Sequence, residues 1–95
     1  MFDRLLRRMR DRVRTSAYVM TLHAQEEMEA DALTLFDVEH CVLTGRIEGR
    51  ERDRRTAEWK YLVGGRTLDG DPGVVIAKFS PDGDLVIITV YRENG

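Results

Sequence analysis

The sequence predicts an α+β domain in which three N-terminal helices pack on a four-stranded antiparallel sheet. Three observations lead there. Apolar residues recur at helical spacing as far as Gly45 and alternate at strand spacing beyond it. Turn-forming clusters such as Asp69-Gly70-Asp71-Pro72-Gly73 and Ser80-Pro81-Asp82-Gly83-Asp84 punctuate only the second half. The chain has 95 residues, 42% of them apolar, which suits one hydrophobic core and not two. Helices that precede strands, instead of alternating with them, give segregated layers with the helices on one sheet face.

The first helix is expected over residues 2–14. Phe2, Leu5, Leu6, Met9 and Val13 form its apolar stripe, and arginines fill the opposite face until Thr15-Ser16 ends it. Residues 1–16 are therefore set apart as a basic amphipathic helix, followed by a single domain over 17–95. Such a helix can dock on its own domain, associate with a second copy, lie on an anionic membrane or bind a partner. Docking or self-association is the first expectation, because a short helix needs tertiary support.

A second helix should run over 21–31, with Leu22, Ala24 and Met28 available for packing. The third, over 35–44, has the clearest ends. Thr34 with Asp37 fits a capping box, Leu33 and Val38 fit a hydrophobic staple, and Leu35, Val38, Cys41 and Val42 make the buried stripe. Gly45 stands where a left-handed terminating residue is wanted.

Strands are expected over 46–53, 58–65, 73–79 and 84–91. The first is polar enough for an edge. The second alternates Trp59, Tyr61 and Val63 with Lys60, Leu62 and Gly64, and Gly64-Gly65 suggests a bulge or an early turn. The last is apolar on both faces and so belongs inside the sheet. Trp59, Leu85, Ile87 and Val42 are expected to be mostly buried.

Composition excludes several classes. No apolar run approaches the roughly 20 residues of a membrane span. The arginine-rich start is not expected to serve as a secretory signal. Cys41 is the only cysteine, so no intrachain disulfide forms and a reducing cytoplasm is the expected setting. Within a helical stripe, Cys41 reads as a small core hydrophobe. The net charge of −2 conceals segregation. Residues 1–14 carry six arginines, whereas residues 21–40 carry six acids and no lysine or arginine. The near-neutral total argues against strong nonspecific nucleic-acid binding.

Chemistry concentrates on His23-Ala24-Gln25-Glu26-Glu27-Met28-Glu29-Ala30-Asp31. On a helix, His23, Glu27 and Asp31 share one stripe. A carboxylate one turn from an imidazole orients it and favours its protonated form, the arrangement of a proton-transfer residue and equally of an ordinary solvated face. The three could grip a metal only with a ligand from a second element, so neither metal nor cofactor is expected. No glycine-rich phosphate loop is present, since Gly64-Gly65 lacks a following lysine and helix. His40 reads as a favourable charge at a helix end. What remains is an acid/base site between helix and sheet, drawing on His23, Lys60, Tyr61, Arg66, Lys78, Tyr91 and Arg92. Cleavage of RNA by 2′-hydroxyl attack needs a base, an acid and cations for the charged phosphorane, all available from that set.

His23-Ala24, Met28, the helix after Thr34, Gly45 with Ile47, Glu58 to Tyr61, and Val86 to Tyr91 together resemble the domain-of-unknown-function family numbered 4258, over about residues 18–92. That family is similar to small bacterial toxins of the RelE and MqsR kind. The resemblance implies a ribonuclease-toxin-like fold and an mRNA-cleaving activity neutralised by an antitoxin partner. Within that expectation the candidate catalytic residues are His23, Glu27 and Tyr91, and the candidates for RNA phosphate are Lys60, Lys78, Arg66 and Arg92. Many family members carry arginine where Glu27 and Asp31 stand. Anions there repel phosphate, so the positive charge comes from Lys60, Lys78 and Arg92, or this branch has lost the activity and is a non-catalytic, self-associating or partner-binding domain. Glu27→Arg is expected to strengthen RNA binding.

Overall fold

A computed structural model describes residues 1–93; the last two residues of the expected 17–95 domain lie outside them. In chain order the elements are α1 (Asp3–Arg14), β1 (Tyr18–Met20), α2 (Leu22–Ala30), α3 (Leu35–Thr44), β2 (Arg46–Arg52), β3 (Trp59–Arg66), β4 (Pro72–Phe79) and β5 (Leu85–Arg92). All seven elements read from periodicity are present. The eighth, β1, corrects the expected architecture: the sheet is five-stranded and mixed, in the order β1-β5-β4-β3-β2. Tyr18, Val19 and Met20 run parallel to Leu85, Val86 and Ile87, and the other three pairings are antiparallel. Three residues are too few to display an alternating pattern, so β1 exists only because β5 offers it an edge. It also places β5 inside the sheet, between β1 and β4, as its sequence led one to expect.

The register sorts the side chains. Tyr61, Val63, Val75, Ala77, Leu85, Ile87 and Val90 face the helices, where most of them meet buried Met9, Val13, Ala24, Val38, Cys41 and Val42. A bulge at Ile88 switches the parity of β5, so that Ile87 and Val90 both point inward. Lys60, Leu62, Val74, Ile76, Lys78, Val86 and Tyr91 share the opposite face. Trp59, expected to be buried, is half-buried with the guanidinium groups of Arg50 and Arg52 lying 4.0 and 4.3 Å from its ring centre. The edge strand β2 supplies these cations in place of a hydrophobic cover.

The N-terminal helix docks on its own domain. Met9 is fully buried and Val13 nearly so. Its arginines do structural work: Arg10 donates to the carbonyls of Val42 (3.2 Å) and Gly45 (2.7 Å), Arg12 to that of Gly83 (3.0 Å), and Arg8 lies over the Phe79 ring at 4.2 Å. Arg10 thereby brings positive charge to carbonyls at the C-terminal end of α3, which have no intrahelical partner.

Both ends of α3 show how locally the sequence acts. Thr34 and Asp37 form the expected capping box. Leu35, assigned to the buried stripe, is 47% exposed, and Asp37 is buried in its stead. The Asp37 carboxylate accepts from the Thr34 N–H (2.9 Å), the Thr34 hydroxyl (3.1 Å) and the Leu68 N–H (3.0 Å), so it closes the β3–β4 loop as well as the helix. The Thr34 N–H chiefly, with the Leu68 N–H, the Thr34 hydroxyl and the positive charge of Arg92, holds its pKa below the usual carboxylate range against the opposing effect of burial. A carboxylate whose pKa is lower folded than unfolded stabilises the fold above about pH 4 and loses that contribution as pH falls through the folded value. Asp37→Asn should therefore flatten the acid limb of a stability–pH curve; an unchanged limb would place the acid sensitivity elsewhere.

Gly45 is not left-handed. Its φ is −93°, and the requirement for glycine is spatial: a Cβ would stand 2.4 Å from the Cys41 carbonyl and 2.5 Å from that of Gly64. Gly64-Gly65 forms neither bulge nor turn, because β3 runs through it. At Gly65 a Cβ would meet the Cys41 carbonyl oxygen at 2.1 Å, backbone against backbone, so α3 passes directly over the bare strand. Gly65→Ala should lift α3 and cost about 1–3 kcal/mol, the usual penalty of overpacking. Gly49→Ala, with nothing within 4 Å of its Cβ, serves as the control. Equal urea midpoints for the two variants would show that α3 slides freely.

Candidate functional site

α2 is placed by the residue that caps its N-terminus. The Thr21 hydroxyl accepts from the Ala24 N–H (3.1 Å) as N-cap and donates to the Ile88 carbonyl (3.1 Å) at the β5 bulge. β1 ends opposite Ile87, so the rest of β5 continues without a neighbouring strand on that side. α2 takes its place. Glu27 Oε1 accepts from the Val90 N–H (3.2 Å), and Asp31 Oδ2 accepts from the Arg92 N–H (3.0 Å). One helical turn of four residues rises about 6 Å, and two strand residues advance about 6.6 Å, so carboxylates four apart on a helix match alternate N–H groups of a strand. Glu27 and Asp31 thus cap a sheet edge. Their first physical role is to satisfy donors that would otherwise lie unpaired.

Glu27 has a second contact. His23 Nε2 lies 3.2 Å from the same Oε1, with the imidazole side chain 65% exposed and the Glu27 side chain 26% exposed. His23 and Glu27 are the two proposed catalytic residues that the fold brings together. Glu27 is held from behind by the strand, and His23 is left open to solvent. Glu27→Arg, expected from the family pattern to favour RNA, would also remove the acceptor of the Val90 N–H.

The remaining candidates are distributed. Lys60, Lys78 and Tyr91 share the sheet face away from the helices. Lys60 pairs with Glu51 at 3.7 Å and Lys78 with Glu58 at 3.2 Å. Arg92 donates to the carbonyls of Asp31 (2.9 Å) and Ala32 (3.3 Å) and to the Asp71 carboxylate (2.9 Å), tying the end of α2 to the β3–β4 loop. Arg66 donates to the Gly70 carbonyl (2.9 Å) in that loop, and its own carbonyl lies 2.8 Å from His40 Nδ1. His40 therefore supports β3. Cys41 is buried, and burial, with the negative charge of Asp37, pushes its thiol up to about 11. It behaves as core, not as a nucleophile. Among the described residues no three or more His, Cys, Asp or Glu side chains gather as metal ligands; Asp31 is turned to the strand and away from His23.

Sequence reasoning passed over a second feature. A groove of about 720 Å³ lies between β1, α2 and α3, lined by Tyr18, Met20, Met28, Leu33, Leu35 and Phe36 with Glu29 and Glu39 on its walls. Phe36, which belongs to no buried stripe, was the available signal. No helix of the described residues is long and apolar enough to cross a membrane.

The family model described as "Domain of unknown function (DUF4258)" covers residues 20–92. No curated protein and no solved structure matches the chain.

Proposed function

The chain belongs to the family of the domain of unknown function DUF4258, and from that premise we propose that it is a toxin-like endoribonuclease of the mRNA-interferase type, cleaving RNA by acid/base chemistry and restrained by an antitoxin partner. The observation that supports this reading is the His23–Glu27 pair: an exposed imidazole 3.2 Å from a carboxylate that a strand N–H holds in place. Such a pair is poised to take the proton of a 2′-hydroxyl or to give one to the departing 5′-oxygen. His23 stands in the first turn of α2, where the N-terminal end of the helix makes the environment favourable to anions, which suits a phosphodiester substrate.

Phosphate contacts come in this reading from the cations of the sheet. Lys60 and Lys78 exchange partly exposed Glu51 and Glu58 for RNA phosphate, replacing one anion by another at modest cost. Arg66 and Arg92 act at the β3–β4 loop, and Tyr91 donates from the open sheet face. A second reading, a non-catalytic interaction domain, is favoured by the groove beside β1.

Induced expression in a bacterial host separates the two. Growth arrest and fragmented RNA with the wild type, both relieved by His23→Ala, are the outcome of the ribonuclease reading. Unimpaired growth and intact RNA with the wild type would leave the interaction domain.

A further inference from the structure

The groove between β1, α2 and α3 has no occupant within the described fold, although its floor is apolar. Met20 and Met28 are half-buried on its walls and Leu33 is nearly buried, while Phe36 and Leu35 stand at its lip with 68% and 47% exposure. Two adjacent exposed apolar side chains at the rim of an apolar floor form one continuous surface, the composition of a docking site. Tyr18 fixes one wall by donating its hydroxyl to Glu39 at 2.6 Å; burial first, then that bond and the Glu39 charge, push the phenol up to about 12, so it stays a neutral donor.

The chemistry of the walls selects the occupant. Glu29 and Glu39 line the groove, and no lysine or arginine stands among its described lining residues. A second copy presenting the same groove would set these acids against each other, a repulsive arrangement for a two-fold contact. A partner strand would gain little from β1, which is three residues long and whose Met20 carbonyl already accepts from Gln25 Nε2 at 3.4 Å. Methionine walls adapt instead to the knobs of a helix.

We infer that this groove binds an amphipathic basic helix of a partner protein, its apolar face on Met20, Met28, Leu35 and Phe36 and its arginines or lysines against Glu29 and Glu39. The inference is independent of the ribonuclease reading: it requires neither His23 nor RNA.

The test uses the full chain and a labelled synthetic helical peptide with leucines at i, i+3, i+4 and i+7 flanked by arginines, followed by fluorescence anisotropy. A matched peptide with glutamates in place of the arginines is the charge control. Saturable binding of the arginine peptide is expected, at least about tenfold tighter than that of the glutamate peptide. Phe36→Asp should weaken it on the order of tenfold or more, as for an interface anchor, and Glu29→Lys should weaken it severalfold. Both positions lie outside the core, so an unchanged melting temperature verifies the fold of each variant. Equal affinity for the two peptides, indifference to Phe36→Asp, or no saturable binding would overturn the inference. So would a concentration-dependent dimer in sedimentation that Phe36→Asp abolishes, since the groove would then hold a second copy.

Discussion

Replacing His23 by alanine should reduce RNA cleavage by the purified protein on the order of 10²–10⁴-fold, the usual worth of a positioned acid/base group. The imidazole side chain is 65% exposed and makes its polar contact with Glu27, so its loss should leave the fold almost untouched. The rate, not the melting temperature, should carry the effect. Glu27→Gln is the informative companion. A glutamine oxygen still accepts from the Val90 N–H, so the edge of β5 stays capped while the negative charge beside His23 is lost. The rate should then fall less than in His23→Ala, with stability near that of the wild type. Glu27→Ala removes both functions and should lose stability as well, about 1–3 kcal/mol for the uncapped N–H. Cleavage should survive chelation of divalent ions. Cleavage by His23→Ala at the wild-type rate would remove the His23–Glu27 pair from the mechanism.

Deleting residues 1–14 should abolish cooperative folding or lower the melting temperature by tens of degrees. α1 contributes Met9 at 0% and Val13 at 4% exposure, with Phe2 edge-on to Tyr61 at 6.0 Å between ring centres. Truncating one such core side chain typically costs about 2–5 kcal/mol, against a total stability of about 5–15 kcal/mol for a small domain. Deletion also strips the carbonyls of Val42 and Gly45 of their Arg10 donor at the end of α3. Met9→Ala alone should show a large part of the loss in thermal or urea unfolding. A truncated chain that melts with the wild type would mean that α1 is an accessory arm. The family match begins at residue 20, beyond this helix, which makes the result a direct measure of how far the matched region folds unaided.

The sequence by itself determined the elements. Helical spacing before Gly45, strand alternation after it, the Thr34–Asp37 box and the two turn clusters are local signals, each acting over a few residues. The His23–Glu27 pairing was legible for the same reason, since residues four apart on a helix are neighbours wherever the helix lies. Tertiary structure decided what local pattern cannot encode. β1 forms because Tyr18–Met20 meets Leu85–Ile87 from the far end of the chain. Gly45 and Gly65 are glycines because α3 crosses β3 there at backbone contact, a fact of packing and not of turn geometry. Glu27 and Asp31 looked like obstacles to phosphate until the missing neighbour of β5 gave them N–H groups to satisfy. The sheet lysines looked available until Glu51 and Glu58 were found beside them. Phe36 lay off every buried stripe, and only the placement of α3 against β1 turned it into the lip of a groove. In each case the partner is distant in sequence, and the free energy that selects it comes from burying surface and pairing backbone groups across the whole fold.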